Sequence, residues 1–124
     1  MSKVLIFDDD RDILELCSII LRKKGHEPVI ETNSKNVIEK INETAPDVIL
    51  MDIWIPGIGG EEAIRLIRNN SVTKHIPVIL FSANNNIEAI AKEAHADHYL
   101  KKPFDIATLN NVISKALSST VLKS

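Results

Sequence analysis

The chain has 124 residues, of which 44% are hydrophobic and 26% are charged, and its formal net charge is −2. This length favours one globular domain, which we expect to span residues 1–124. The sequence has no Lys/Arg-rich patch of the kind that nucleic-acid binders carry, and no apolar run near the roughly 20 residues of a membrane span, so neither is an expected partner. The one cysteine, Cys17, favours a reducing, cytoplasmic location.

Extended and helical patterns alternate five times along the chain, beginning with the apolar run at residues 4–7. A helix is predicted over residues 11–24, with Asp10 as its N-cap and Gly25 just beyond its end. The helical spacing of its apolar residues predicts the face that meets the core: Ile13, Leu16, Cys17, Ile20 and Leu21.

The second strand, residues 28–32, is the least hydrophobic of the set. Pro28 is tolerated only at the start of a strand or on an edge, so we place this strand at an edge of the sheet. Asn33 or Ser34 is predicted to cap a second helix that ends near residue 44. Its inward residues are predicted to be Val37, Ile38 and Ile41.

The remaining elements continue the alternation. A glycine-rich loop over residues 55–60 precedes the third helix, and Asp105 is predicted to cap the fifth. Three more strands are predicted at residues 48–51, 78–81 and 98–100, and a fourth helix begins near residues 84–86. The apolar stripe of the fifth helix is predicted to contain Ile106, Leu109, Val112, Ile113 and Leu117.

Continuous apolar runs of this length suit parallel strands that are covered on both faces. Five successive strand–helix units imply right-handed crossovers, with helices on both sides of the sheet. With the second strand at an edge, we predict a flavodoxin-like α/β fold. This is a (βα)5 three-layer sandwich with a parallel five-stranded sheet of order 2-1-3-4-5.

Polar side chains follow the apolar strands where each strand stops. Asp8 and Asp9 follow the first strand, Asp52 the third and Ser82 the fourth, and Lys102 comes just after the fifth. In open parallel sheets, residues past the carboxyl ends of the strands meet in one crevice. Clustered carboxylates need a cation, and these hard oxygen ligands together with phosphate favour Mg²⁺.

Asp52 is the predicted nucleophile because it stands alone at the end of a central strand. An aspartate carboxylate can attack phosphorus and form an acyl phosphate. Lys102 and the cation would offset charge on the transferring group, and Ser82 would donate a hydrogen bond to a phosphoryl oxygen. Asp10 is more simply a helix cap than a ligand.

In combination, order and spacing, these motifs resemble the response-regulator receiver domains of two-component signalling, of the chemotaxis-receiver type. The resemblance covers residues 3–117. The motifs that carry it are Asp8-Asp9, Asp52-Ile53-Trp54-Ile55-Pro56-Gly57, Ser82-Ala83 and Tyr99-Leu100-Lys101-Lys102-Pro103-Phe104.

The resemblance implies a signalling switch that catalyses only its own phosphorylation and dephosphorylation. Asp52 would be the phosphoacceptor, and the donor would be a phosphohistidine on a sensor histidine kinase or histidine phosphotransfer protein. Asp9, Asp52 and the backbone carbonyl of Trp54 would bind Mg²⁺ directly, whereas Asp8 would act largely through water. No further cofactor is expected.

The resemblance also implies the way in which the signal leaves the domain. Lys102 and Ser82 would hold the phosphoryl oxygens, and the Lys102-Pro103 bond would be cis. Movement of Ser82 would let Tyr99 turn inward and change the face formed by the fourth helix, fifth strand and fifth helix. The output would be a downstream protein or a fused effector absent from this chain, or a phosphorylation-dependent homodimer.

His95 departs from the family pattern, which usually has glycine at this position. Histidine is enriched among non-glycine residues with positive φ, so we expect a left-handed backbone with modest strain there and no metal-binding role.

Three other functions fit parts of the sequence. A flavin-binding electron carrier shares the strand order, but its phosphate loop would be repelled by Asp8, Asp9 and Asp10. A receiver fold used only for protein contacts typically lacks part of the acidic pair, nucleophile and lysine, all of which are present. A metal-dependent phosphohydrolase would need an acid two residues after Asp52, where Trp54 stands.

Overall fold

The structure, a computed structural model, describes residues 2–123; Met1 and Ser124, which belong to the predicted domain span, lie outside it. Strands and helices alternate within that range, and the one-domain organisation stays a prediction. In chain order the elements are β1 (Lys3–Phe7), α1 (Arg11–Lys23), β2 (Glu27–Glu31), α2 (Val37–Thr44), β3 (Val48–Asp52), α3 (Gly60–Asn69), β4 (Val78–Ser82), α4 (Ile87–Ala94), β5 (His98–Lys101) and α5 (Ile106–Lys123). Among the described residues, no helix has the length and apolar character to cross a membrane.

The strands form one parallel sheet in the order β2-β1-β3-β4-β5, which confirms the predicted flavodoxin-like α/β fold. β2 is an edge strand, as Pro28 indicated, and it pairs with β1. β1, β3 and β4 are neighbours, with Phe7 opposite Met51 and Asp52 opposite Phe81. The carboxyl ends of these three strands therefore lie side by side.

Side chains alternate between the two faces of the sheet and enter two separate cores. One core lies under α1 and α5 and includes Ile6 and Leu50. The other lies under α2, α3 and α4 and includes Phe7 and Met51. Both faces of the central strands are buried, which explains why their sequences are apolar without alternation.

The predicted ends of α1 are confirmed by its capping contacts. The Asp10 carboxylate accepts hydrogen bonds from the backbone N–H of Asp12 at 3.0 Å and of Ile13 at 3.3 Å. Gly25 lies just past the helix with φ of +84°. This left-handed conformation costs glycine little, so the chain can leave the helix and enter β2.

Two residues predicted to face the core are exposed. Leu16 is 44% exposed, whereas Leu14 is buried. Leu14 and Cys17 are three residues apart on one face of α1, and Leu16 lies outside that face. Ile106 is 60% exposed because it is the first residue of α5, whose packing against the sheet is made by residues from Leu109 onward.

The predicted start of α2 is wrong. The helix begins at Val37, and neither Asn33 nor Ser34 is its cap. The Asn33 side-chain oxygen accepts a hydrogen bond from the Lys35 backbone N–H at 2.7 Å, and Ser34 bonds to a different loop. Asn and Ser side chains offer the backbone alternatives to a helix start, so their presence does not fix the first turn.

Arg68 joins the ends of several elements at the amino edge of the sheet. Its guanidinium donates to the backbone oxygens of His95 at 2.9 Å, Lys74 at 3.1 Å and Ile76 at 2.8 Å. It also donates to the Asp97 carboxylate at 2.5 Å. The clamp ties α3 to the segments that enter β4 and β5, and it holds the backbone of His95, whose φ of 64° confirms the predicted left-handed conformation.

We expect His95→Gly to raise the free energy of unfolding by roughly 0.5–1 kcal/mol, because glycine adopts this backbone conformation without strain. Urea denaturation of both proteins measures the change. Glu93→Gly, two residues earlier in the regular part of α4, is the matched control and should lower stability by about 1 kcal/mol. Equal losses from both substitutions would contradict the expected strain.

We expect Arg68→Ala to lower the free energy of unfolding by roughly 3 kcal/mol, because it leaves a partly buried carboxylate and three backbone carbonyls without this donor. Arg65→Ala is the control, since Arg65 pairs with Glu62 on the exposed surface of α3 and should matter little. Similar urea midpoints for the two variants would show that the clamp is not stabilising.

Candidate functional site

The crevice at the carboxyl edge of the sheet is formed by residues at the strand ends. Asp8 follows β1, Asp52 ends β3 and Ser82 ends β4. These three polar residues are buried, with 1%, 5% and 1% of their surface exposed. Lys102 follows β5, and its Lys102-Pro103 peptide bond is cis, as the resemblance implied.

Three carboxylates lie close together in this crevice. Asp8, Asp9 and Asp52 each offer an oxygen, and these oxygens lie within 4.8 Å of one another. Asp9 is exposed to solvent, whereas the other two are buried. Such a set of hard oxygen donors, with negative charge in excess over one nearby ammonium, fits a divalent cation of the Mg²⁺ type.

The Lys102 side chain reaches the two buried carboxylates. Its Nζ donates to Asp8 Oδ2 at 2.7 Å and to Asp52 Oδ1 at 3.2 Å. Nζ also lies 4.4 Å from the centroid of the Phe81 ring, in the range of a cation–π contact. The backbone N–H of Lys102 donates to the Ser82 carbonyl at 2.8 Å, which fixes where this side chain starts.

Asp8 is held on both of its oxygens. While Oδ2 accepts from Lys102, Oδ1 accepts from the backbone N–H of Asp10 at 2.9 Å. Asp10 in turn caps α1, so its carboxylate is engaged at the helix start, as predicted, and is not among the clustered oxygens. The turn after β1 is therefore fixed by the same residues that supply the site.

The pKa values in the site are shifted by burial and by neighbouring charge. Burial raises the pKa of the Asp52 carboxyl above its ordinary value, and the negative charge of Asp8 raises it further, against the opposing effect of Lys102. Burial disfavours the ammonium form of Lys102. Its hydrogen bond to Asp8 and the charges of both carboxylates outweigh that effect, so its pKa is raised.

Ser82 lies at the same edge and makes its hydrogen bonds locally. Its hydroxyl oxygen accepts from the backbone N–H of Asn84 at 3.1 Å. Lys101, next to Lys102 in sequence, is exposed and donates to Asn85 Oδ1 at 2.8 Å, so it points away from the carboxylates as strand alternation predicted.

Two aromatic residues singled out in the sequence are exposed. Tyr99 is 43% exposed and pairs with Leu80 across β4 and β5. Trp54 is 74% exposed in the connection between β3 and α3, two residues after Asp52.

Sequence reasoning missed three features of the site: the direct Lys102–Asp8 pair, the Phe81 ring beside Lys102, and the fully buried Ser34. The pair joins residues 94 apart, and local pattern carries no signal for it. Phe81 could have been found from the predicted register, because it lies beside Asp52 in the neighbouring strand. Ser34 resembled a helix cap, and nothing local distinguishes the two roles.

A family model, curated proteins and solved structures that match this chain all indicate the same family. The model of the response regulator receiver domain matches residues 4–114. The phosphate regulon transcriptional regulatory protein PhoB of Klebsiella pneumoniae is 32% identical over 104 residues, which are 82% of this chain and 45% of PhoB. This chain thus spans about half the length of the first curated relatives that it matches.

Two further relatives are similar over nearly their whole length. Protein PilG of Pseudomonas aeruginosa is 31% identical over 119 residues, which are 94% of this chain and 88% of PilG. The solved structure of chemotaxis protein CheY4 from Vibrio cholerae superposes with a TM-score of 0.84 at 27% identity and covers 94% of this chain and 99% of that chain. These matches favour the receiver interpretation over a flavin carrier or a phosphohydrolase.

We expect Asp52→Asn to raise the free energy of unfolding at pH 7.5 in metal-free buffer, because it removes a charge that burial and the neighbouring Asp8 carboxylate disfavour. A carboxyl with a raised pKa binds more protons in the folded state than in the unfolded chain. Its contribution to stability therefore falls as pH rises through the interval between the two values.

Urea denaturation from pH 4 to pH 7.5 measures this difference between the variant and the wild type. The advantage of the variant should be largest at the highest pH and should shrink as pH falls and Asp52 becomes protonated. A variant less stable than the wild type at pH 7.5 would contradict the pKa shift.

Proposed function

The chain belongs to the response regulator receiver domain family, a family of signalling switches, and on that premise we propose that Asp52 is its phosphoacceptor. The observation that carries the proposal is the position of Asp52 at the end of a central strand, buried and hydrogen-bonded to the Lys102 ammonium. The donor is a phosphohistidine on a sensor histidine kinase or a histidine phosphotransfer protein.

In the transfer, a carboxylate oxygen of Asp52 forms a bond to phosphorus while the phosphorus–nitrogen bond of the phosphohistidine breaks. The imidazole leaves with the electron pair of that bond and is neutral once it holds a single proton. Lys102 already lies 3.2 Å from the Asp52 carboxylate, so its ammonium can offset charge on the phosphoryl oxygens without travelling far. The same residues support autophosphorylation from small donors, and hydrolysis of the acyl phosphate resets the switch.

We assign Mg²⁺ to Asp9, Asp52 and the backbone carbonyl of Trp54, with Asp8 acting through water. When bound, Mg²⁺ supplies positive charge to the phosphoryl oxygens. The contacts of Asp8 support its indirect role, because both its oxygens are already engaged by Lys102 and Asp10. The carboxylate of Asp9 is exposed and free to face a hydrated cation.

In the proposed output step, Ser82, whose hydroxyl oxygen accepts from the Asn84 N–H, moves so that its hydroxyl donates to a phosphoryl oxygen. Tyr99, now 43% exposed, then moves its ring inward and changes the face formed by α4, β5 and α5. A phosphoryl group on Asp52 that makes more favourable contacts in one of two states shifts their populations toward that state.

The partner of that face is a separate protein, a fused effector or a second phosphorylated copy of this domain. PhoB is by name a transcriptional regulatory protein and is about twice as long as the matched segment, which supports an effector outside this chain. The cytoplasmic location stays a prediction.

We expect incubation with a small acyl phosphate and Mg²⁺ to add the mass of one phosphoryl group to the wild type and none to Asp52→Asn, because the amide lacks the nucleophilic oxygen. Intact-mass spectrometry measures both. Equal modification of the two proteins would refute Asp52 as the acceptor.

In the same assay, Lys102→Ala should slow phosphorylation by roughly a hundredfold, since it removes a charge aimed at the transferring group. Lys101→Ala is the matched control, because Lys101 is exposed beside it and bonds to Asn85. Equal rates for the two lysine variants would contradict the role given to Lys102.

A further inference from the structure

Ser34 is a polar residue with none of its surface exposed, in the connection between β2 and α2. Its backbone N–H donates to the Pro56 carbonyl at 2.9 Å, and its hydroxyl donates to the same oxygen at 3.2 Å. The hydroxyl oxygen also accepts from the Ile58 N–H at 3.1 Å. These contacts hold the β2–α2 connection against the connection between β3 and α3.

Gly57 makes this close contact between the two connections possible. Its φ is +108°, and a Cβ atom there would lie 2.5 Å from Asn33 Oδ1 and 2.8 Å from the Lys35 backbone nitrogen. Side chains other than glycine would force the connections apart. The close packing of the two connections therefore depends on the absence of a side chain at Gly57.

The β3–α3 connection is also fixed at its start. The Ile53 N–H donates to the Phe81 carbonyl at 3.3 Å, and the Ile53 carbonyl accepts from the Gly60 N–H at 2.9 Å. Trp54 and Ile55 lie between this anchor and the Pro56 carbonyl that Ser34 holds. Trp54 is 74% exposed, so its backbone is placed by its neighbours. These are the anchors at Ile53 and Pro56, and Ile55, which is buried and whose N–H donates to the Asp52 carbonyl at 3.4 Å.

We propose that Ser34 is a positioning residue for the metal site. By holding the Pro56 carbonyl and the Ile58 N–H, its hydroxyl keeps the Trp54 carbonyl ready to face the clustered carboxylates. This inference rests on the proposed function, in which that carbonyl completes the Mg²⁺ ligands. A ligand that is already held in place loses less conformational freedom when the ion binds, and residues that orient ligands raise metal affinity in this way.

We expect Ser34→Ala to weaken Mg²⁺ binding by about tenfold, near the lower end of the effect of residues that orient metal ligands. Mg²⁺ titration is followed by calorimetry and by the fluorescence of Trp54, the one tryptophan of the chain. The steady-state anisotropy of Trp54 in the metal-free variant should fall, because its backbone is less restrained. Neither measurement requires phosphorylation.

Thr73→Val is the matched control for a lost buried hydroxyl. Thr73 is also fully buried and donates to the Ile67 carbonyl at 2.8 Å, beyond the end of α3 and away from the carboxyl edge. Both variants should lose stability in urea, but only Ser34→Ala should lose Mg²⁺ affinity. Equal Mg²⁺ affinities for the two folded variants would overturn the proposal.

If Ser34→Ala does not fold, hydrogen exchange of the wild type tests whether Ser34 and the Mg²⁺ site are coupled. Coupling between two sites is reciprocal, so Mg²⁺ should slow exchange of the Ile58 amide, which donates to Ser34. Unchanged exchange at saturating Mg²⁺ would overturn the proposal while leaving the proposed function intact. A wild type that binds no Mg²⁺ would overturn both this proposal and the assignment of Mg²⁺ to the site, whereas intact-mass measurement of Asp52 phosphorylation tests the phosphoacceptor role by itself.

Discussion

The contact of the Lys102 ammonium with the carboxylates of Asp8 and Asp52 is the interaction on which the rest of the site depends. Two buried carboxylates side by side are unfavourable, because each loses hydration and repels the other. Lys102 compensates part of that charge at 2.7 and 3.2 Å. The order β2-β1-β3-β4-β5 places the ends of β1 and β3 side by side. Lys102 follows β5, and its side chain reaches the two carboxylates across β4, where its ammonium contacts the Phe81 ring. In this fold the burial of two carboxylates at strand ends is accompanied by an ammonium that contacts both of them.

The compensation is incomplete, and that has a functional meaning. Burial, together with the negative charge of Asp8, raises the pKa of Asp52 despite the ammonium, so the ionised carboxylate is disfavoured in the metal-free pocket. A divalent cation relieves this penalty, and in the proposed reaction the same ammonium then faces the phosphoryl oxygens. The groups that make the metal-free pocket electrostatically costly are thus those that the chemistry uses, as is common where function conflicts with stability.

The fold was predictable from the sequence because each of its determinants is local. Apolar runs identified the central strands, Pro28 placed β2 at the edge, and Asp10 marked the start of α1. The strand order then brought the acidic strand ends to one edge. The features that could not be predicted from the sequence depend on contacts between distant segments.

Lys102 and Asp8 are 94 residues apart. The Ser34 hydroxyl, which a local rule predicted to cap a helix, donates instead to the Pro56 carbonyl 22 residues away. The prediction of which α1 residues face the core was wrong at Leu16 for a different reason. Leu14 and Leu16 are both apolar, and only the packing of the helix against the sheet decides which of them is buried.

Some residues of the site are held rigidly and others are held by few contacts, and this difference is relevant to how a switch could work. The carboxylates of Asp8 and Asp52 and the Lys102 ammonium are carried by strand ends and by a network of short hydrogen bonds, so they are preorganised. Trp54, Ser82 and Tyr99 lie at the start of connections or on the edge strand, where the rings are exposed and the serine hydroxyl is held by one local bond. The chemical step requires rigidly held groups, whereas the conformational response requires groups that can move, and different residues can meet the two requirements. In the proposed function, phosphorylation therefore need not disturb the core: the phosphoryl oxygen accepts from the Ser82 hydroxyl, whose oxygen accepts from the Asn84 N–H.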